Sequence, residues 1–237
     1  RLIIFSKETN KMSSLCRLML PNEFTNEFQS YVMETFFQSE PMNQCLQTKI
    51  PDEIDLCWLE QVLFKAKFDQ LTLAFYDSNF SNNLPIAYSI NHHDQIHDDN
   101  VHSDVLYSSL NRTSLHKYDQ INNLISKLHE NINLFEQFQC EHLFHIYFLG
   151  VHPNYRQNRL ASQLIQHSIS LAKDKHFDLI YADATSIYST NAFLRNDFQI
   201  LKTIDYASYE NSSGDKIFRP IQNHKGCSIV LKDLRNQ

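Results

Sequence analysis

The chain has 237 residues, 42% hydrophobic and 12% aromatic, which is enough to bury a sizeable core and predicts one domain over residues 1–237. A formal net charge of −6 offers no basic stripe for a phosphate backbone, which argues against nucleic acid as a partner. Apolar runs stay shorter than the roughly eighteen residues that a membrane span needs, and residues 1–5 lack the long apolar centre of a signal peptide, so a cytoplasmic protein is expected.

Five cysteines, Cys16, Cys45, Cys57, Cys140 and Cys227, are odd in number and far apart, with no CxxC pair. They read as free, mostly buried thiols, and no metal is expected. Glycine occurs only at Gly150, Gly214 and Gly226, which excludes a GxGxxG nucleotide loop.

Residues 15–20 alternate loosely and stop at Pro21-Asn22, predicting a strand and then a helix start capped by Asn22. Phe24, Phe28, Tyr31, Val32 and Phe36 recur at helical spacing, in a helix that ends before Pro41. Ile54, Trp58, Leu59, Val62 and Leu63 predict a second helix over 52–67. Residues 71–76 and 85–90 read as strands joined by a turn around Asn82-Asn83. From about 91 to 116 the chain turns polar, with His92, His93, Asp94, His97, Asp98, Asp99 and His102 close together. These are metal-ligand types without a repeating spacing, so the segment reads as a solvated, His-rich surface loop. The N-x-S/T triplets at Asn79, Asn111 and Asn211 read as incidental.

Tyr118, Ile121, Leu124, Ile125, Leu128, Ile132 and Leu134 mark a third amphipathic helix. Residues 143–151 form the strongest strand signal, and their near-continuous apolar character means that both faces are covered. On that strand His145 shares a face with Tyr147, Leu149 and Val151 by simple alternation and reads as a buried, satisfied histidine. A helix over 159–175 and a strand over 179–182 complete a βαβ unit, which requires parallel strands and a right-handed crossover. A short helix over 189–196, a strand over 199–204 and a last strand over 227–231 follow.

The turn between the 143–151 strand and its crossover helix exposes the free N–H groups of a helix start, where the macrodipole also favours an anion such as a diphosphate. Its residues, Arg156-Gln157-Asn158-Arg159-Leu160-Ala161, resemble the acetyl-CoA signature Q/R-x-x-G-x-G/A of the GNAT superfamily. Arg156 and Ala161 fill its first and last positions, while Arg159 and Gln157 stand where relatives carry glycine. Phe36-Phe37-Gln38-Ser39-Glu40-Pro41-Met42-Asn43 resembles the F-x-x-x-E-P-L/M-N segment of insect-type arylalkylamine N-acetyltransferases, in which the glutamate is the general base. Proline pushes the residue before it into an extended conformation, so Glu40 leaves the helix end and its carboxylate can turn into a cleft. The stretch from Thr185 to Phe198 resembles the family's short helix and closing L-G-F, which places its two catalytic hydroxyls on Thr185 and Ser189. Phe193 stands where many GNAT enzymes carry a tyrosine acid, Tyr188 reads as a core tyrosine, and Asp197 replaces a glycine at a left-handed helix end. The resemblance spans nearly the whole chain and is weakest in the His-rich loop.

It implies an α/β (α+β) GNAT fold: a mixed, mostly antiparallel sheet splayed in the middle between the strands ending at Val151 and Ala184, with helices on both faces. It also implies acetyl-CoA as co-substrate and a small amine as partner; the protein is expected to be a monomer, with neither nucleic acid nor membrane as partner. Leu149, Gly150 and Val151 would pair with the pantetheine arm, and Arg156, Gln157, Asn158, Arg159, Leu160, Ala161 and Ser162 would hold the diphosphate. The resemblance assigns direct transfer to an arylalkylamine, with Glu40 as base assisted by Thr185 and Ser189 as acid. Polyamine or protein-amine acetylation and a catalytically silent CoA-binding protein remain open.

Overall fold

The computed structural model describes residues 4–5, 14–80, 84–96, 112–219 and 223–235. Among the described residues, eight strands form one sheet in the order β1-β2-β3-β4-β5-β6-β8-β7. They are β1 (Ile4–Phe5), β2 (Ser14–Leu18), β3 (Leu73–Asp77), β4 (Ala87–Gln95), β5 (His142–Val151), β6 (Leu179–Ala184), β7 (Gln199–Asp205) and β8 (Gly226–Asp233). Only β5 and β6 run parallel, as their helical crossover requires; every other neighbouring pair is antiparallel.

Helices cover both faces. On one, α6 (Leu160–Asp174) and α7 (Ile187–Leu194) bury Leu160, Leu164, Ile165, Leu171 and Phe193 against Phe144, Ile146, Ile180 and Val230 of the sheet. On the other, α1 (Asn26–Thr35) and α3 (Leu56–Asp69) bury Phe28, Val32, Leu59 and Leu63 against Ala74, Tyr88, Ile90 and Phe148. The same face carries α4 (Arg112–His129), whose Leu124 and Leu128 meet Cys227 and Ile229. Two five-residue helices, α2 (Pro41–Cys45) and α5 (Leu134–Phe138), are too short to leave a periodic signal in the sequence. No described helix is long and apolar enough to cross a membrane.

Local chemistry corrects several expectations. Thr25, not Asn22, caps α1 by accepting from the Phe28 N–H, because residues 21–23 form a 3-10 turn whose Glu23 is held by Arg17. The second predicted helix starts later, at Leu56, where Asp55 accepts from the Trp58 N–H. The predicted polar loop is strand through Gln95, and α4 already begins at Arg112. Asn91 and His92 enter the core because each meets a backbone carbonyl, Leu71 O at 2.8 Å and Val62 O at 3.0 Å. The histidines and aspartates of the 97–111 stretch lie outside the described residues, as does the Asn82-Asn83 turn. Of the five free cysteines, Cys16, Cys140 and Cys227 are buried, Cys45 is half-buried and Cys57 is exposed.

Two irregularities of β5 shape everything that follows. Opposite β4, Ile90 pairs with Phe148 but Asn91 pairs with Ile146, so Tyr147 is an extra, bulged residue. The bulge reverses the alternation. Tyr147 and Phe148 both pack toward α1 and α3, whereas Leu149 and Val151 turn to the α6 face beside Phe144 and Ile146. His145 therefore does not share a face with Leu149 and Val151, contrary to simple alternation. The second irregularity is that β5 and β6 pair only from Leu143↔Leu179 to His145↔Tyr181, after which the strands diverge.

Gly150 sits where the buried Tyr88 ring crosses β5, and a Cβ there would run into that ring. Tyr88 cannot easily yield, because its hydroxyl is bonded at 2.8 Å to the buried Thr35 hydroxyl at the end of α1. Gly150→Ala is expected to destabilise the protein by about 1–3 kcal/mol through overpacking, read as a lower urea midpoint at unchanged slope.

Candidate active site

The divergence of β5 and β6 opens a cavity of about 100 Å³. Ile146, Tyr147 and Leu149 line it from β5, and Ala182, Asp183 and Thr185 from the end of β6. Phe36, Ser39, Glu40 and Pro41 form another wall, and Ser186, Ser189 and Phe193 close the α7 side. Glu40, Thr185, Ser189 and Leu149, nominated by sequence from three distant segments, thus meet around one space.

Glu40 is extended at φ −74°, ψ 128°, as Pro41 dictates, but it does more than end α1. It caps α2: one carboxylate oxygen accepts from Met42 N at 3.0 Å, and the other from Asn43 N at 2.7 Å and Asn43 Nδ2 at 2.8 Å. The Thr185 hydroxyl adds a further bond. The side chain is only 5% exposed. Burial raises its pKa above the ordinary carboxylate value, and the four bonds oppose that rise without cancelling it. The result is a rigidly aimed carboxylate with enhanced proton affinity on a cavity wall.

The start of α7 is built from hydroxyls. Ser186 accepts from Ser189 N at 3.0 Å, and Ser189 Oγ lies 2.9 Å from Ser186 Oγ and donates to Ser186 O at 3.0 Å. Ser189 is thereby fixed at the cavity rim. Tyr188, expected in the core, is 66% exposed, with its ring edge against His224, because the cap turns it outward. Asp197 does adopt the left-handed conformation, φ 62°, steadied by Lys232 at 3.4 Å.

Beyond Val151 the chain makes a 3-10 turn (Pro153–Tyr155) and enters α6 at Leu160. Gln157 and Arg159, the two residues in place of glycines, have φ of 66° and 60°. Those positions therefore call for glycine because the backbone is left-handed there. Arg159 is the N-cap of α6 and its side chain makes no capping bond. The first helical N–H groups at Leu160, Ala161 and Ser162 are thus left by the cap for an anion, at the end of a fifteen-residue helix. This arrangement fits a diphosphate. Elsewhere in the turn Arg156 Nε donates to Val151 O at 3.4 Å and Asn158 Nδ2 to Tyr155 O at 3.1 Å.

Sequence reasoning does not supply the partners of two polar groups, of which the first, His145, is buried and satisfied as expected. His145 Nδ1 lies 3.1 Å from the Tyr181 hydroxyl and 3.2 Å from Asp94, to which Tyr181 also donates at 2.6 Å. Burial alone would raise Asp94, but bonds from His145 and Tyr181 hold it well below the usual carboxylate range. Nearby, burial and then the charge of His145 push His92 down to about 3. The second group is an ion pair between Asp183, on the cavity wall, and His129 of α4. Its signal in the sequence was only an aspartate in an otherwise apolar strand.

Residues 122–198 match the acetyltransferase (GNAT) family. No curated protein matches the chain by sequence. Among solved structures, arylalkylamine N-acetyltransferase 2 from Aedes aegypti superposes with a TM-score of 0.80 at 22% identity, over 94% of this chain and 100% of that one. A mosquito arylalkylamine N-acetyltransferase-like 5b gives 0.78 at 19% identity, over 94% and 100%. The Drosophila melanogaster polyamine N-acetyltransferase that forms N-acetylagmatine gives 0.75 at 18% identity, over 94% and 100%. At these identities the likeness establishes the fold.

The left-handed φ of Arg159 yields a direct test. A non-glycine residue there costs about 1–2 kcal/mol and glycine's extra chain entropy about 0.5–1 kcal/mol, so Arg159→Gly is expected to gain roughly 0.5–1 kcal/mol. At this size that is a rise in Tm of about 1–4 °C. Acetyl-CoA affinity measured by calorimetry should hold or improve if backbone amides form the cradle; a tenfold loss would show that the guanidinium itself grips phosphate.

Proposed function

We propose, since residues 122–198 match the GNAT acetyltransferase family and the fold is that of solved arylalkylamine N-acetyltransferases, that this chain transfers the acetyl group of acetyl-CoA directly to the primary amine of an arylalkylamine. The observation that carries this reading is Glu40: a buried carboxylate with raised proton affinity, locked by α2 amides and facing the gap between β5 and β6. An amine holds its proton at neutral pH, with a pKa of about 10, and cannot attack an acyl carbon until that proton leaves. Glu40 removes it, while Thr185 keeps the carboxylate oriented. Ser189, at the rim on α7, donates a proton to the leaving sulfur. Phe36, Tyr147 and Phe193 supply apolar walls suited to an aryl group.

Acetyl-CoA, when bound, supplies an activated thioester. The main chain of Leu149, Gly150 and Val151 lies on the stretch of β5 that has left β6, where it can pair with an extended arm. Amides from Gln157 through Leu160 and Ala161 to Ser162, with Arg156 and Asn158 shaping the turn, receive the diphosphate at the α6 N-terminus.

Two substitutions probe the halves of this site. Ala161→Glu puts a negative charge among the amides of the cradle and is expected to abolish acetyl-CoA binding, read by thermal shift, while the protein's own Tm holds. Wild-type affinity in that variant would remove the cradle from this turn. Glu40→Gln keeps the shape and discards the basicity. It should lower kcat and kcat/KM for tryptamine by about 10²–10⁴ at neutral pH with acetyl-CoA affinity nearly unchanged. Because Glu40 works ionised and its pKa is raised, wild-type rate should climb as pH rises through that value. The variant should recover only at high pH, where free amine accumulates. Equal neutral-pH rates with chemistry rate-limiting would return Glu40 to the role of a helix cap.

A further inference from the structure

Asn196 is a buried amide where an apolar residue would be cheaper. It follows α7, whose C-cap is Arg195, and stands in sequence between Phe193 and Phe198 of the core that α6 and α7 share. It is only 5% exposed. The L-G-F that this segment resembles carries leucine at the same position, and leucine would pack there without the desolvation cost of an amide. Both amide protons of Asn196 are used. Nδ2 donates to Ala192 O at 2.8 Å and to Ser162 Oγ at 3.0 Å. The Ala192 carbonyl fixes which way the amide lies, because an oxygen in place of Nδ2 would face another oxygen. Ser162 is therefore the acceptor in its bond to Asn196. The main-chain oxygen of Asn196 accepts from the buried Lys232 Nζ at 3.1 Å, so β8 steadies the residue as well.

Ser162 is the third residue of α6, after the N-cap Arg159. A hydroxyl has one proton to give, and with Asn196 donating to its oxygen that proton has to go elsewhere. The common outlet for a helical serine is the carbonyl four residues back. Here that carbonyl, Asn158 O, receives Gln163 Nε2 at 3.4 Å, and among the described contacts the Ser162 hydroxyl donates to no protein group. Side chains on a helix lean toward its N-terminus, which carries this hydroxyl toward the amides of Leu160, Ala161 and Ser162 that Arg159 leaves uncapped. A proton donor without a protein acceptor thus stands beside the anion position that those amides define.

We propose that Asn196 is a positioning residue for the acetyl donor: by donating to Ser162 Oγ it reserves the Ser162 hydroxyl proton for the diphosphate of acetyl-CoA. This assignment rests on the proposed cradle at the start of α6. Ionised phosphate oxygens only accept, so a hydroxyl beside them is useful only as a donor, and Asn196 sets that polarity before the ligand arrives. Binding then spends less on ordering the hydroxyl. The same amide ties the end of α7 to the first turn of α6, which registers the cradle against the helix that carries Ser189.

The test measures acetyl-CoA affinity by calorimetry in the wild type, Asn196→Leu, Ser162→Ala and the double variant, a reading that needs neither acceptor nor turnover. Ser162→Ala removes a hydrogen bond to a charged group and should bind about 10–100-fold more weakly. Asn196→Leu keeps the hydroxyl but lets it turn, which should weaken binding about three- to tenfold. Since Asn196 acts through Ser162, the double variant should bind no more weakly than Ser162→Ala. S-acetylpantetheine, which has the thioester but no diphosphate, separates positioning from packing. With tryptamine as acceptor, the ratio of kcat/KM for acetyl-CoA over S-acetylpantetheine should fall about three- to tenfold in Asn196→Leu, carried by the KM for acetyl-CoA. Additive losses in the double variant, or a ratio that Asn196→Leu leaves at the wild-type value, make Asn196 a packing residue of the α6–α7 seam. Should Asn196→Leu not fold, Asn196→Asp decides the matter: it keeps the shape but draws the Ser162 proton to itself, so acetyl-CoA should bind at least as weakly as in Ser162→Ala, and wild-type affinity overturns the assignment. A wild type that does not bind acetyl-CoA defeats the proposed reaction and this assignment together; a wild type that binds it as tightly as Asn196→Leu does defeats this assignment alone.

Discussion

Parallel pairing between β5 and β6 stops after His145 and Tyr181, and the cavity that the proposed chemistry uses depends on that stop. A sheet that zipped fully would satisfy its own backbone and leave no room between its strands. Here β4 keeps β5 in register on one side while β8 keeps β6 on the other, so the two halves diverge without either losing its outer partner. The gap can exist because polar groups bordering it are satisfied locally: Glu40 by α2, Ser189 by Ser186, Asp183 by His129. The bulge at Tyr147 adds a second effect. It directs Tyr147 to one face and Leu149 to the other, so a single strand lines the cavity from both the α1–α3 side and the α6 side.

The reach of α1 into this gap is set by a different contact. Tyr88 crosses β5 over Gly150 and hydrogen-bonds Thr35, tying the last turn of α1 to the sheet. The 3-10 turn over Phe37–Ser39 then delivers Glu40 at a fixed distance from that anchor. A glycine in a central strand thus has its explanation in a distant segment of the chain, in the placement of a carboxylate.

Much of this could be read from sequence where a local rule decides the outcome. Pro41 fixes the extended backbone of Glu40, the apolar run of β5 and the periodicity of α6 announce the βαβ unit, and Asp197 marks a left-handed helix end. Expectations failed where tertiary partners override local pattern. Asn91 and His92 look like loop residues until Leu71 and Val62 offer carbonyls. The face of His145 depends on a bulge, which alternation cannot announce, and the short helices α2 and α5 are below the length at which a period can be recognised. The place of Asp183 on the cavity wall could not be read from sequence, because its partner His129 stands fifty-four positions away.

The proposed double employment of Glu40, as helix cap and as base, has a thermodynamic consequence. A carboxyl whose pKa is higher in the native state than in the unfolded chain favours folding while it is protonated, and that stabilisation fades as pH rises through the raised value. Once ionised, Glu40 is therefore held in the form that the fold disfavours, kept there by the helix it caps. Capture of a proton relaxes that tension. Stability and reactivity at this residue are one quantity seen from two sides: a mutation that strengthened the amide grip on the anion would steady α2 and blunt the base together, and one that weakened it would do the reverse.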